Sequence, residues 1–174
     1  MNFYRIKGAT NMNIFKEKNH EIKFKMAEDK LDLEEVKKLF LDYAGSLNID
    51  LDFQGFQTEV NTLPGKYSSP DGIIILASVD GKSAGCVALR KILGDICEMK
   101  RFYVRDNYRG MGIGRKLIDI AIEKAKDMNY KYIRLDTLVT MKSAQHLYLS
   151  SGFYDIPAYT YNPFKDARFM ELKL

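Results

Sequence analysis

The sequence predicts an α/β fold in which helices pack on a mixed, mostly antiparallel sheet. Two observations indicate this fold. Residues 71–104 contain three consecutive strand patterns, and Asp80-Gly81, a strong signal for a two-residue hairpin, joins the first two. The pattern then changes to a glycine-rich loop, a long amphipathic helix and another strand. A helical crossover of this kind joins parallel neighbours, so we expect one parallel pair in the sheet.

Length and composition are those of one globular domain. The chain has 174 residues, of which 46% are hydrophobic and 29% charged, enough for a core and too apolar for disorder. The net charge of +4 requires no nucleic-acid partner, although it suits a ligand that carries phosphates. No apolar run reaches the length of a membrane span, so we expect no membrane partner. Residues 1–20 are polar and basic, and we interpret them as an extension, flexible or an early strand, ahead of a single domain over 21–174.

The two cysteines, Cys86 and Cys97, both lie in apolar, strand-like stretches. Two buried thiols predict a reducing compartment, and we therefore expect a cytoplasmic protein. A disulfide between them is the less favoured alternative. His20 and His146 are isolated and no Cys-x-x-Cys pair occurs, so the sequence predicts no metal site.

The N-terminal part of the domain is expected to contain a strand and two helices. Glu21–Met26 alternates polar and apolar residues, as a strand does. Asp32 is the expected cap of the first helix, with Glu35 reaching back as in a capping box. A second, short helix is expected over residues 53–63, where Pro64-Gly65 ends it.

Helices and strands alternate after the glycine-rich loop. An apolar stripe at helical spacing predicts a helix over Gly114–Met128. A strand is expected at Tyr132–Thr137, followed by a helix at Ser143–Leu149 that Gly152 closes. Two further strands are expected, one from Phe153 onward and one at Ala167–Leu172.

The loop before the long helix carries three alternating glycines, Gly110, Gly112 and Gly114. Glycine permits positive φ and close approach of a ligand, so successive N–H groups at a helix N-terminus can surround one anion. Arg109 and Arg115 flank the loop and add positive charge. The spacing lacks the Gly-Lys-Ser/Thr of a P-loop and fits poorly to the Gly-x-Gly-x-x-Gly of a dinucleotide site. A glycine turn without a ligand stays the alternative at this point.

The residues around the loop resemble a known family. RGMGIGRKL after MKRFYV is similar to the acyl-CoA-binding signature of the GNAT acetyltransferases, Arg/Gln-x-x-Gly-x-Gly/Ala, and SAQHLYLSSGF resembles their later helix and strand. The tail IPAYTYNPFKDARFMEL and the early FQGFQ are similar to a bacterial subgroup with a Tyr-Asn-Pro segment. The resemblance covers roughly residues 22–174. It implies the GNAT fold, with a splayed parallel strand pair, and an acetyl-CoA-dependent N-acetyltransferase.

The resemblance also implies where acetyl-CoA, the co-substrate, binds. Backbone groups of three consecutive strand residues would pair with the pantetheine arm, namely Phe102, Tyr103 and Val104. The amides of the loop would hold the pyrophosphate, with Arg115 close by, and these loop residues are Arg109, Gly110, Met111, Gly112, Ile113 and Gly114. Met141 departs from the family, because many members carry at this position an Asn that contacts the coenzyme.

Two catalytic residues are expected. Tyr148 matches the tyrosine that many GNAT enzymes place near the thioester sulfur, where a phenol can protonate the departing thiolate. A core tyrosine is the alternative. An alkyl ammonium has a pKa of about 10.4, so an amine acceptor must lose a proton before it attacks. Glu98 is the expected base, because strand alternation gives it a common face with Lys100, Phe102 and Val104.

Both carboxylates near the expected cleft have an alternative interpretation. Glu98 would instead form an ion pair with Lys100 or Arg101 at the sheet surface. Asp136 is the second candidate base, and it would otherwise cap a helix or accept hydrogen bonds from a loop.

By analogy with the family, the acceptor site is built from the first helices and the C-terminal segment. The candidate acceptor residues are Phe53, Gln54, Phe56 and Tyr161, with Tyr159 and Asn162 nearby. This mixture suits a small, partly apolar amine, and local packing of loop aromatics is the alternative. Two other functions stay open: a CoA-binding sensor without catalysis and a protein N-acetyltransferase. A homodimer is left open as well.

Overall fold

The computed structural model describes residues 3–4, 12–17, 20–47 and 55–174, with side chains described in the last two ranges. The α-helices in this part of the chain are α1 (Lys30–Leu47), α2 (Phe56–Asn61), α3 (Ile113–Asp127) and α4 (Lys142–Ser150). Its strands are β1 (Phe3–Tyr4), β2 (Met12–Glu17), β3 (His20–Met26), β4 (Ile73–Val79), β5 (Lys82–Leu93), β6 (Ile96–Val104), β7 (Tyr132–Thr137), β8 (Tyr154–Asp155) and β9 (Arg168–Lys173). None of these helices is long and apolar enough to cross a membrane.

The described strands form one sheet in the order β1-β2-β3-β4-β5-β6-β7-β9-β8. The pairs are antiparallel except for β6 and β7, which run parallel and are connected through α3. The predicted mixed sheet with one parallel pair is therefore confirmed. For the N-terminal extension the sequence left a flexible segment and an early strand open. Met12–Glu17 of this extension is a strand that pairs with β3.

The first hairpin forms as predicted, whereas the start of α1 differs from the prediction. Asp80 and Gly81 both have positive φ, 49° and 78°, as a type I′ turn requires. The backbone N–H of Asp32 donates to Oδ1 of Asp29 at 2.8 Å, so Asp29 caps the helix. Asp32 lies one turn further on, where its carboxylate pairs with Lys25 at 2.5 Å. The predicted cap at Asp32 is wrong because the helix begins earlier, at Lys30.

Strand alternation divides the core into two layers, one on each face of the sheet. Ile75 and Val79 of β4 belong to the layer that contains α3, and Ile74 and Leu76 to the layer that contains α1. The contribution of α3 is a buried stripe at helical spacing, formed by Ile113, Leu117, Ile118, Ala121 and Ala125. Because helices cover both faces, β4 is apolar along nearly its whole length.

Strand β6 changes face at Arg101. Arg101 has a φ of 56°, and the register between β5 and β6 shifts there, as it does at a β-bulge. Before the bulge, Glu98 and Lys100 alternate with residues of the α3 layer, so they face α1. After it, Phe102 and Val104 pack in the α3 layer. The predicted common face of these four residues is wrong, because one extra residue moves every later side chain to the opposite face.

Candidate active site

A cleft opens where β6 and β7 separate. Their parallel pairing ends at Glu98, which is opposite Arg134, although β6 continues to Val104. The cleft is lined by side chains from α1, β6, β7, α4 and the segment before β9, among them Tyr43, Lys100, Phe102, Asp136, Tyr148 and Asn162. The splayed parallel pair expected from the resemblance is therefore present.

One edge of β6 is open along this cleft. On its other edge, Tyr103 pairs with Cys86 and Val104 with Gly85 of β5. Toward β7, no strand pairs with residues 99–104 in the part of the chain described here. An open edge offers its N–H and C=O groups to an extended ligand, as in β-strand addition. The predicted pantetheine positions Phe102–Val104 lie on this strand segment.

The glycine loop carries several backbone N–H groups that have no backbone partner among the described residues. Gly110 and Gly112 have φ values of 77° and 75°, a conformation that favours glycine. Helix α3 begins without a side-chain cap, and Lys116 N–H donates to Gly112 C=O, so the N–H groups of the first turn have no carbonyl one turn back. The amide of Arg109 is different, because it donates to Asp106 at 3.2 Å. The N–H groups of residues 110–115 are thus grouped at the start of α3, the arrangement in which a helix N-terminus favours an anion.

The two arginines that flank the loop are both bonded within the protein. Arg109 donates to the carbonyl of Val104 at 3.1 Å and pairs with Asp106 at 2.7 Å. Arg115 donates to the hydroxyls of Ser150 and Ser151 at the end of α4. Both arginines are thus held beside the loop by neighbouring residues of the protein.

Gly114 brings three elements together. A Cβ at this position would lie 3.2 Å from Cδ1 of Leu147 and 3.3 Å from Cζ of Phe102. These distances are shorter than ordinary carbon contacts. The absent side chain thus lets the start of α3 lie against both β6 and α4, beside Phe102, which lines the cleft.

Tyr148 is buried but its hydroxyl is not used by the protein. Its ring lies 5.8 Å from the ring of Phe102 and 5.7 Å from that of Phe153. Among the described residues its hydroxyl has no hydrogen-bond partner, and the side chain lines the cleft. Burial raises the pKa of Tyr148 well above its usual value, so the phenol stays protonated at neutral pH and can donate a hydrogen bond.

Glu98 is held on both of its carboxylate oxygens. Its Oε2 accepts from Arg90 at 2.6 and 2.7 Å, and its Oε1 accepts from the Tyr159 hydroxyl at 2.8 Å. The side chain is 1% exposed and does not line the cleft. The predicted ion-pair alternative named Lys100 or Arg101 as partner, but the structure has Arg90 in that place.

Glu98 also belongs to a row of alternating charges across the sheet. Arg90 of β5, Glu98 of β6, Arg134 of β7 and Glu171 of β9 are register partners in turn. Arg134 pairs with Glu171 at 2.8 Å. This row crosses β6 and β7 at the last position where they are paired. Sequence reasoning missed it, because register between distant strands leaves no local signal.

Asp136, the second predicted base, lines the cleft. Its Oδ1 accepts from Lys100 at 3.1 Å and its Oδ2 from Asn162 at 2.9 Å. Burial by itself raises the pKa of Asp136, but the Lys100 ammonium and the hydrogen bonds from Lys100 and Asn162 outweigh burial. The pKa is therefore held below its usual value and the carboxylate is ionised at neutral pH.

The predicted acceptor residues are only partly brought to the cleft. Phe53 and Gln54 lie outside the described residues. Phe56 is buried under the guanidinium of Arg101, 4.9 Å from its ring centre, and Tyr161 is 77% exposed; neither lines the cleft. Sequence reasoning named none of Tyr43, Leu47 and Phe164 as site residues, although all three line the cleft. The spacing of Tyr43 and Leu47, one helical turn apart, was the available signal.

The cysteines and other metal-binding residues form no centre in the described chain. Cys86 and Cys97 are free and buried, and they lie in different core layers. Within residues 20–47 and 55–174, no group of three His, Cys, Asp or Glu residues is arranged to hold a metal ion.

Comparison with known proteins identifies relatives of the chain. The model of the Acetyltransferase (GNAT) family matches residues 33–153. The chain is 34% identical to an uncharacterized N-acetyltransferase from Dictyostelium discoideum, with 88% of this chain and 99% of that protein covered. An uncharacterized N-acetyltransferase from Schizosaccharomyces pombe is 36% identical over 82% of this chain and 89% of its own length. N-acetylaspartate synthetase from Xenopus tropicalis is 33% identical over 56% of this chain and 36% of its own length.

Solved structures share the fold. A GNAT-family acetyltransferase from Staphylococcus aureus Mu50 has a TM-score of 0.73 and 24% identity, covering 87% of this chain and 98% of that one. A Bacillus anthracis protein assigned as a streptothricin acetyltransferase, solved in complex with acetyl coenzyme A, has a TM-score of 0.57 and 25% identity, covering 65% of this chain and 69% of that one. The family match includes β6, the glycine loop and Tyr148. The chain therefore belongs to the GNAT family of acetyltransferases.

Proposed function

We propose that the protein transfers the acetyl group of acetyl-CoA to the amine of a small acceptor, in one step within a ternary complex. The observation that carries this proposal is the cleft between β6 and β7. The open edge of β6 and the Tyr148 side chain line it, and the uncapped start of α3 lies against Phe102, which is one of its lining residues. Family membership and the acetyl-CoA complex of the Bacillus anthracis protein support acetyl-CoA as the co-substrate.

Backbone groups account for coenzyme binding in this proposal. The N–H groups of residues 110–115 would hold the pyrophosphate at the positive end of α3. The open edge of Phe102–Val104 would pair with the amides of the pantetheine arm. Neither contact requires a particular side chain, apart from the glycines that permit the loop conformation.

The acyl thioester supplies an activated carbonyl. Residues of this chain would orient that carbonyl and protonate the departing sulfur. The Tyr148 hydroxyl, kept protonated by burial, donates a hydrogen bond and then its proton to the departing sulfur. Backbone N–H groups beside the bulge at Arg101 polarise the carbonyl. Holding amine and thioester in one cleft removes much of the entropic cost of their encounter.

Glu98 and Asp136 are the two candidates for the group that takes the proton of the amine. A base acts directly or through one water molecule, so position decides first. Asp136 lines the cleft, whereas both oxygens of Glu98 are engaged by Arg90 and Tyr159. Glu98 would act only through a bridging water, and proximity favours Asp136.

The remaining expectations are also part of the proposal. Residues 21–174 would form the catalytic domain, with residues 1–20 as an extension. The free thiols of Cys86 and Cys97 support a reducing location such as the cytoplasm. The hydrogen bond of Asn162 to Asp136 gives the Tyr-Asn-Pro segment a role in the cleft, which supports the bacterial subgroup. The name of the Xenopus tropicalis relative supports a small acceptor over a protein.

Release of free thiol from acetyl-CoA tests this function. The assay is run over a panel of small amines, amino acids and a peptide with a free N-terminus, with coenzyme affinity measured by calorimetry. We expect turnover with a small amine and none above background with the peptide. The protein's own thiols add little background, because Cys86 is buried and burial raises the pKa of Cys97 to about 12. Absence of turnover with every acceptor would contradict the proposed acetyltransferase activity.

A coenzyme A sensor without catalysis is the second candidate. It is favoured by the state of Asp136, whose pKa is held low by Lys100 and Asn162, which makes it a weak base. Tight coenzyme binding together with no turnover on any acceptor is the result that this candidate predicts.

A further inference from the structure

Lys100 carries hydrogen-bond donors that its described surroundings do not use. Its side chain is 9% exposed and lines the cleft. Lys100 Nζ donates to Asp136 Oδ1 at 3.1 Å, and within residues 20–47 and 55–174 this is its one hydrogen bond. An ammonium has three N–H donors, so two of them lack an acceptor there. Because unsatisfied donors of a shielded charge are costly, a ligand is expected to supply the missing acceptors.

The other cation at the cleft, Arg101, is held on two sides by described residues. Its Nε and Nη2 donate to the two carboxylate oxygens of Glu59 at 2.7 and 3.2 Å. The guanidinium also stacks over the ring of Phe56. The Arg101 side chain is also less exposed than that of Lys100, 2% against 9%. Of the two cations in this part of the cleft wall, Lys100 is therefore the more accessible to an anionic group.

The surroundings of Lys100 also select the kind of anion. Asp136 already lies beside it and is ionised, so a doubly charged group such as a phosphate dianion would be repelled at short range. A carboxylate carries a single charge and two acceptor oxygens, which matches the two remaining donors of one ammonium. Apolar side chains of the same cleft, Leu47, Met99 and Phe164, leave room for the rest of a small acceptor.

We propose that Lys100 binds a carboxylate of the acceptor, so that the enzyme acetylates amino acids or similar amino carboxylates in preference to simple amines. This inference rests on the proposed function and adds the class of acceptor.

The test compares matched acceptors in the full-length protein. The wild type and Lys100→Met are assayed with L-leucine and L-leucinamide, and with other L-amino acids and their α-amides. We expect the wild type to prefer each acid over its amide by about 10- to 100-fold in kcat/KM, the value of one charge-assisted hydrogen bond shielded from water. Lys100→Met should abolish this preference, and Lys100→Arg should keep part of it.

Three further variants distinguish loss of the carboxylate contact from a general loss of folding or binding. Lys91→Met removes an exposed lysine whose pair with Asp71, at 3.2 Å, lies on the surface, and it should change neither preference nor affinity. Asp136→Asn should retain binding of the amino acid, because Lys100 keeps its charge. The double variant Lys100→Met/Asp136→Asn leaves no unpaired charge, so it keeps the measurement possible where Lys100→Met alone fails to fold.

Binding and turnover together distinguish the two possible failures. Turnover with amides equal to that with acids in the wild type would overturn the carboxylate site and leave the transferase intact. Absence of all turnover would instead remove the proposed function, and calorimetric titration of L-leucine into the CoA-saturated protein then decides the inference. Weaker binding to Lys100→Met, or to the double variant, supports the carboxylate site. Equal binding, or none to the wild type, overturns it.

Discussion

The two ends of the cleft are built in different ways. The proposed coenzyme end consists of backbone groups from one continuous stretch, residues 102–115, which contains the open edge of β6 and the start of α3. The acceptor end uses side chains from four separate segments, represented by Tyr43, Lys100, Asp136 and Asn162. A backbone site depends on local conformation, whereas a side-chain site depends on the register and packing of the whole sheet. The coenzyme end should therefore be sensitive to backbone strain, and the acceptor end to charge and hydrogen bonding.

Tyr148 lies where the two ends meet, and its hydroxyl gives the largest expected effect. Tyr148→Phe should lower kcat by about 100-fold, because the departing sulfur loses its proton donor. The ring contacts with Phe102 and Phe153 remain, so affinity for acetyl-CoA should stay nearly constant. The measurement is steady-state kinetics together with calorimetry. The control is Tyr130→Phe, which removes a hydroxyl that donates to Asp71 at 2.7 Å away from the cleft; a preserved kcat in Tyr148→Phe would exclude the acid role.

Gly112→Val tests the coenzyme end alone. Valine at a φ of 75° costs at least about 1–2 kcal/mol and its side chain occupies the approach to the loop amides, so the Kd for acetyl-CoA should rise by at least about tenfold. Gly94→Val is a matched control. Gly94 also has positive φ, 53°, and open space around it, but it lies in the turn between β5 and β6. If both variants bind acetyl-CoA like the wild type, the loop is not the pyrophosphate site.

Glu98→Gln tests whether Glu98, at the acceptor end, stabilises the fold through its ion pair or acts as the general base. We expect the free energy of unfolding to fall by about 1–3 kcal/mol, because Arg90 loses a buried charged partner and Tyr159 a charged acceptor. The kcat should change only a few-fold, which urea unfolding and steady-state kinetics measure side by side. A loss of kcat of about 100-fold at unchanged stability would instead establish Glu98 as the base.

The smallest expected effect is on the pH dependence of stability. The pKa of Asp136 is lower in the folded protein than its usual value of about 3.9, so its ionised form stabilises the fold above that value. This stabilisation is lost as the pH falls from the usual value through the lowered one, where Asp136 is protonated and Lys100 loses its partner. Urea unfolding between acidic and neutral pH should show a steeper fall for the wild type than for Asp136→Asn. Parallel curves would show that this ion pair contributes nothing to stability.

The coenzyme end was largely readable from the sequence. The three strands predicted within residues 71–104 are β4, β5 and β6, and the predicted bounds of β3, α3 and β7 agree with the structure to within one residue. These features depend on neighbours in the chain, so local patterns suffice. The amide of Arg109 is the exception, because a short turn with Asp106 uses it.

The acceptor end was not readable in the same way. Nothing in the sequence marks the bulge at Arg101, since arginine rarely adopts positive φ, and this one residue reverses the predicted face of Phe102 and Val104. The partner of Glu98 is Arg90, which becomes its neighbour only through the register of β5 with β6. The roles of Phe53 and Gln54 stay predictions.

The sequence by itself determined the order of helices and strands, the parallel crossover and the glycine loop before α3, because each follows from spacing within a short stretch of chain. Only the tertiary structure decided which charges meet in the cleft. It placed Lys100 against Asp136, which lies on a neighbouring strand, and tied Glu98 to Arg90 and Tyr159. The physical reason is that the strength of a charged contact depends on distance and shielding from water, and both are set by the register, the bulge and the splay of the sheet.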